Sequence, residues 1–175
     1  NGAQRLVERA LTQDFDGEAP AQLMETAYPL FQKCYQANLH RDSVLYAGAV
    51  KTLAQCQAAG RRVGCVTNKP AAFTLPLLKA MGLSRYLDPI VSGDDLPKKK
   101  PDPLPLEHVA GQWGLAPAEC LLVGDSVSDF RAARACGMPV VLVSYGYSQG
   151  LDLFELGPDA VIDSLAKVLN IIDVV

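Results

Sequence analysis

The sequence predicts a parallel α/β sheet covered by helices on both faces, preceded by an all-helical segment, and three observations carry that prediction. From Leu45 onward, short apolar and β-branched runs alternate with helix-length stretches. Those runs are apolar at nearly every position, as strands are when both faces are covered. Residues 1 to about 43 contain no such run. In sheets of this kind the chemistry sits at the carboxyl ends of the strands, where functional side chains are to be sought.

Leu6, Val7, Ala10 and Leu11 form one apolar stripe at helical spacing, and Leu23, Met24, Ala27, Leu30, Phe31 and Cys34 form a second. Gly17–Pro20 breaks them apart, and Pro29 kinks the second helix or marks its first turn. Ala47–Ala59 reads as a helix ended by Gly60, and Arg62–Thr67 as the first strand. Ala71–Met81 is helical and stopped by Gly82, and Leu87–Ser92 is the second strand. Asp102 caps a helix with Pro103 at its first position, running to Trp113 and stopped by Gly114. Cys120–Val123 is the third strand, Ser128–Cys136 a helix with Gly137 beyond its end, and Val140–Ser144 the fourth strand. Ala160–Ile162 is a short fifth strand before a helix near Ser164–Asn170.

Composition sets the class. At 175 residues, 49% hydrophobic and 20% charged, the chain suits one core domain with a small appendage and excludes disorder. No apolar run approaches the roughly 18 residues that cross a bilayer, and no charged-then-apolar leader opens the chain, so no membrane partner is expected. Sixteen basic against nineteen acidic residues, a net charge of -3, supply no general nucleic-acid footprint. The five cysteines (Cys34, Cys56, Cys65, Cys120, Cys136) are odd in number and form no C-x-x-C pair, and Cys65 and Cys120 lie in apolar runs. Buried free thiols and a cytoplasmic setting are expected. With only His40 and His108, a histidine-rich zinc site is excluded.

Three strand ends carry polar groups. Thr67-Asn68-Lys69 follows the first strand; a hydroxyl and an amide beside free backbone N–H groups can hold a phosphoryl oxygen, or can simply cap the next helix. After the second strand, Lys98-Lys99-Lys100 runs into Pro101. Either this is a solvated basic loop, or the proline fixes Lys100 as a point cation beside an anion site. The third strand ends in Gly124-Asp125-Ser126-Val127-Ser128-Asp129. Two carboxylates four residues apart can converge on a hard cation such as Mg²⁺, or serve as an N-cap and a dipole-favoured neighbour; Gly124 before Asp125 favours the metal.

Together these residues resemble the haloacid dehalogenase superfamily of Mg²⁺-dependent phosphatases. Val66-Thr67-Asn68-Lys69 is similar to its second motif, Lys100-Pro101-Asp102-Pro103 to its third, and Gly124-Asp125-Ser126 with Asp129 to its fourth. Asn1-Gly2-Ala3, Leu6-Val7-Glu8-Arg9-Ala10-Leu11, the Thr67–Pro70 run, Gly93-Asp94-Asp95 and Tyr145-Gly146-Tyr147 resemble phosphoglycolate phosphatases in particular, over essentially the whole chain. The resemblance implies a Rossmann-like core over 44–175 and a helical cap over 1–43, with substrate selection at their junction. It implies Mg²⁺ as cofactor and a small phosphorylated metabolite as partner. It further implies an aspartyl-phosphate mechanism, with Asp125 a metal ligand and Asp129 a ligand, a support through water, or a hydrogen-bond partner of its neighbours. Thr67 and Asn68 would orient the phosphoryl group, while Lys100 offsets its charge and steadies the nucleophile.

In that family the nucleophile and the general acid/base come from a strand followed by D-x-D-G-T, ahead of the cap. The chain opens inside the cap. The expectation is therefore a sheet without its central first strand, between the strands ending at Val66 and Val123, and no turnover by these 175 residues alone. Asp14-Phe15-Asp16-Gly17 imitates the motif, but it follows Ala10-Leu11-Thr12-Gln13 rather than a buried strand. It reads as an exposed turn with helix-capping carboxylates. The same motifs would also suit a sugar-phosphate phosphatase, a phosphomutase or a pyrophosphatase, and a non-catalytic anion- or partner-binding relative is the alternative of another class. Arg5, Arg9 and Lys33 are candidates for a substrate carboxylate, or form a solvated helix face. The tail from Ile171 to Val175 is apolar enough to pack on the core or on a neighbour.

Overall fold

The computed structural model describes residues 3–146 and 152–172. Asn1, Gly2, Tyr147 and the end of the tail from Asp173 lie outside the described residues. The core is built on Val140–Val143 (β4), which is buried along its whole length. It pairs in parallel with Leu122–Gly124 (β3) on one side and Ala160–Ile162 (β5) on the other, with Val141 opposite both Val123 and Ala160. Successive side chains of a strand point to opposite faces. Val140 and Leu142 accordingly join Leu106, Ala132, Ala133 and Met138 in one apolar cluster, whereas Val141 and Val143 join Ile162 and Val168 in the other. Leu104–Trp113 (α5) and Val127–Ala135 (α6) bring their apolar residues to the first face, and Lys167–Ile172 (α7) to the second.

Cys65–Val66 (β1) and Ile90–Val91 (β2) form a separate parallel pair. Their hydrogen bonds reach further than these short ladders: the Asp88 N–H donates to the Val63 carbonyl at 2.7 Å, and the Thr67 N–H to the Val91 carbonyl at 2.9 Å. The expected strands Arg62–Thr67 and Leu87–Ser92 are thus paired over most of their length, interrupted at Pro89, which has no N–H to donate. Among the described residues β1 and β3 share no hydrogen-bonded pairing, in keeping with the expectation for the strands ending at Val66 and Val123.

Ahead of the sheets lie Ala3–Thr12 (α1), Ala21–Ala37 (α2) and Ala49–Ala58 (α3). α1 packs on α2, but the two expected stripes are buried only in part. Val7 is buried, while Leu6 is 58% exposed and Leu30 58% exposed, because a pair of helices sharing one face covers one line of each. Pro29 falls inside α2 rather than in its first turn. An aromatic series carries α2 to the core: Tyr28 and Phe31 lie 6.3 Å apart, Phe31 and Tyr35 5.5 Å, and Tyr35 meets Phe73 of Ala71–Ala80 (α4) edge-on at 4.9 Å. Such pairs contribute about 0.5–1.5 kcal/mol each beyond their buried area.

Two sequence readings need correction. Asp14 does not cap α2; its carboxylate accepts the Asp16 N–H at 3.1 Å and closes its own turn, which is exposed as expected. All five cysteines are free, but the buried one is Cys56; Cys65, on β1, and Cys120, which ends the 3-10 turn ahead of β3, are half-buried. Among the described residues no helix is long and apolar enough to cross a membrane.

Asp159, just ahead of β5, accepts the Val140 N–H at 2.7 Å and pairs with Arg134 at 2.9 Å. The Val140 N–H, helped by Arg134, holds its carboxyl below the usual carboxylate range. A carboxyl whose value is lower in the folded state stabilises it above the unfolded value of about 4, and that contribution fades as pH falls through the lowered folded value. Asp159→Ala is expected to lower stability by about 1 kcal/mol at pH 7, and the gap from the parent should close in acid. Urea titrations of both proteins at neutral and acidic pH measure it.

Candidate active site

The Lys100 side chain is 10% exposed and the Asp129 side chain 7%. The Lys100 ammonium donates to the Val66 carbonyl, at the end of β1, and at 2.7 Å to Asp129 Oδ1 in the first turn of α6. Its backbone carbonyl accepts Asn68 Nδ2–H at 2.8 Å. One residue therefore joins the end of β1, the first turn of α6 and the loop between β1 and α4. The solvated-loop reading of the lysine run is overturned for Lys100. It holds in part for Lys98, which pairs at the surface with Asp102 at 2.9 Å, and for exposed Lys99.

Thr67 and Asn68 do not cap α4. That helix starts at Ala71, and the Ala71 N–H donates to Asp94 Oδ1 at 2.7 Å. Thr67 Oγ1 accepts the Lys69 N–H at 3.2 Å, and Asn68 Oδ1 is buried with no hydrogen-bond partner among the described residues. A buried, unpaired amide oxygen costs about 1–3 kcal/mol, and such groups concentrate at functional sites. Gly93 makes the Asn68 position feasible, because a Cβ there would stand 2.2 Å from the Asn68 carbonyl oxygen.

Asp129 is committed on both oxygens. Oδ1 takes Lys100, while Oδ2 accepts the Ser126 hydroxyl at 2.6 Å, the Ser126 N–H at 3.0 Å and the Asp125 N–H at 3.2 Å. Burial alone pushes its carboxyl up, but the Lys100 charge and these donors outweigh burial and hold it below the usual range. Of the three roles open to Asp129, the arrangement displays the hydrogen-bonding one. Gly124 has its reason here, since a Cβ on it would stand 2.5 Å from the Asp129 Cβ. Asp125 follows directly on β3 with its side chain against Gly146.

Among the described residues no three metal-binding side chains gather. The donor set still fits a hard cation of the Mg²⁺ type, which needs only one or two protein carboxylates and takes its remaining ligands from water and phosphate. Asp125, directly after β3, is the carboxylate that would hold it. Sequence reading named Asp94 and Lys69 only within motif runs and gave neither a partner: the Asp94 bond to Ala71 spans 23 residues, and the Lys69 ammonium donates to the Tyr35 hydroxyl at 2.8 Å. The N-cap of α6 is Ser126 rather than either carboxylate: with Asp129 three residues on, it forms a capping box.

Parallel strands covered by helices, with a lysine-bridged carboxylate and polar loops beyond the strand ends, define an α/β protein whose candidate site lies at the carboxyl ends of its strands. Residues 3–143 match the family model of haloacid dehalogenase-like hydrolases, and the chain belongs to that family. Within it the relatives are consistent. The chain is 45% identical over 172 residues to a phosphoglycolate phosphatase of Nitrosococcus oceani, covering 98% of this chain and 76% of that protein. It is 47% identical over 171 residues to one of Nitrosospira multiformis, covering 98% and 75%. The crystal structure of a predicted phosphoglycolate phosphatase from Haemophilus somnus 129pt superposes with a TM-score of 0.89 at 34% identity, over 97% of this chain and 75% of that one. The fold of CbbY from Rhodobacter sphaeroides is similar too, with a TM-score of 0.78 at 21% identity over 95% and 75%. The chain thus falls in the phosphoglycolate phosphatase branch of the haloacid dehalogenase-like hydrolases.

Removing the ammonium leaves Asp129 charged and buried without its cation, which costs about 3–5 kcal/mol. Lys100→Met is expected to destabilise the protein by that amount, and Lys100→Met/Asp129→Leu to recover part of it. An unfolding free energy from urea titration within about 0.5 kcal/mol of the parent's for the single variant would sink this account of the pair.

Proposed function

We propose that this site hydrolyses 2-phosphoglycolate to glycolate and phosphate with Mg²⁺, in a cytoplasmic setting. The observation that carries the reading is the joined set of Asn68, Lys100 and Asp129 at the ends of β1 and β3, in a chain whose relatives bear that enzyme's name.

An ammonium has three protons. In Lys100 two are taken by the Val66 carbonyl and Asp129, which leaves the third to donate to a phosphoryl oxygen. Thr67 Oγ1 and Asn68 then orient the transferring group from the β1 end. Asp129 does not touch the substrate; it fixes Lys100 and the start of α6. Asp125 would hold Mg²⁺, which supplies positive charge against the phosphoryl oxygens. The attacking carboxylate is, by family resemblance, the first Asp of D-x-D-G-T. Its oxygen bonds to phosphorus as the ester oxygen leaves, and the second Asp protonates the leaving alkoxide. Water then cleaves the aspartyl-phosphate. Residues 1–43 act as the cap and 44–175 as the core. Preorganised charge, rather than new covalent chemistry, is what the retained residues contribute.

Phosphate release from 2-phosphoglycolate by the full natural protein tests this reading. Turnover should need Mg²⁺, stop with EDTA, and exceed turnover of hexose phosphates and pyrophosphate. Thr67→Val should lower kcat by roughly a hundredfold, the scale of one lost oxyanion donor. A polypeptide confined to residues 1–175 should show none. Equal or better turnover of a sugar phosphate would move the assignment to that substrate class.

A further inference from the structure

A cavity of about 410 Å³ opens between the helical segment and the core, lined by α1 on one side and by the loops after β1 and β2 on the other. Asn68 lines it, so it is continuous with the phosphate-handling residues. Its charged side chains are Arg5, Glu8, Arg9, Asp94 and Lys99. Three of these are already used. Arg5 is spent on structure: it pairs with Glu8 at 3.1 Å and donates to the carbonyls of Gly17 at 2.8 Å and Phe15 at 3.1 Å. Asp94 holds the Ala71 N–H at the start of α4.

Arg9 and Lys99 are different. Arg9 donates from Nε alone, to the Phe15 carbonyl at 2.9 Å, and its guanidinium lies 3.5 Å from the centre of the Phe15 ring. The fork is held in place, and its two terminal amino groups make no hydrogen bond among the described residues. A fixed planar fork with free amino groups suits a carboxylate, which it can bind through two parallel hydrogen bonds. Lys99 stands across the cavity on the core loop. Its neighbours Lys98 and Lys100 are paired with Asp102 and Asp129, whereas the Lys99 ammonium makes no ion pair among the described residues. Lys33 does not line the cavity.

We propose that Arg9 and Lys99 form the subsite for the substrate carboxylate, one from each wall of the cavity, and so select a short phosphomonoester that carries a carboxylate beside its phosphate. This rests on the phosphatase reading above and narrows it. It also requires the two walls to act together, since neither cation alone encloses the carboxylate.

The test is the ratio of kcat/KM for 2-phosphoglycolate to that for ethyl phosphate, which lacks the carboxylate, in the full natural protein with Mg²⁺. Arg9→Gln and Lys99→Gln should each lower that ratio at least roughly tenfold, the usual scale for a lost charged hydrogen bond at a specificity site. Arg9→Lys should recover part of it. A misfolded fraction lowers both rates alike and leaves the ratio unchanged, so the readout separates recognition from stability, and Lys99 lies on the surface where substitution is tolerated. A ratio equal to the parent's in both glutamine variants overturns the subsite while leaving the phosphatase reading intact. A parent that hydrolyses neither ester overturns both.

Discussion

The Lys100 ammonium lies between two sheets that share no backbone hydrogen bonds among the described residues, and its bonds to the Val66 carbonyl and to Asp129 are polar links that join them. A charge in so dry a place is tolerated only when its protons are taken up by fixed acceptors. That requirement propagates outward. Asp129 must be charged and oriented, so Ser126 and the Asp125 N–H are drawn to its second oxygen, and Gly124 must lack a side chain to let it in. The Lys100 carbonyl in turn takes the Asn68 amide, which Gly93 permits by its own missing Cβ. Each of these groups sits where it does because its neighbour would otherwise be buried without a partner.

The helical segment is attached more lightly and by other means. Tyr35 lies against Phe73 and accepts a hydrogen bond from Lys69, which follows Asn68 directly, so the segment's position is coupled to the loop after β1 through that aromatic ring. Arg5 and Arg9 fold the 13–17 turn back on α1 through the Phe15 carbonyl. That turn carries the D-F-D-G imitation of a catalytic motif, and its chemistry is that of a loop anchored by arginines.

Much of the core was legible because its signals are local. The unbroken apolar run Val140–Val143 can only be a strand covered on both faces, and it is the most buried element of the sheet. Asp102 ahead of Pro103 spells a helix start, and its carboxylate accepts the Leu104 N–H at 3.0 Å. The roles of the three consecutive lysines were not legible, since identical side chains in sequence carry no hint of which meets a buried carboxylate. Nor was the partial exposure of the two helical stripes, because periodicity reports which residues share a face and is silent on how much surface is available to cover it.

By itself the sequence determined the alternation of elements, the parallel α/β class and the short list of strand-end residues, since backbone propensity, turn chemistry and apolar period act over a few neighbouring residues. The tertiary structure decided that Asp129 serves Lys100, that Asp94 rather than Thr67 caps α4, and that among the described residues Arg9 donates from Nε alone whereas both Arg5 amino groups donate. Each of those is a choice of hydrogen-bond partner between groups distant along the chain or equal in type. Such a choice is settled only when packing brings particular donors and acceptors within reach and burial makes an unpaired one costly.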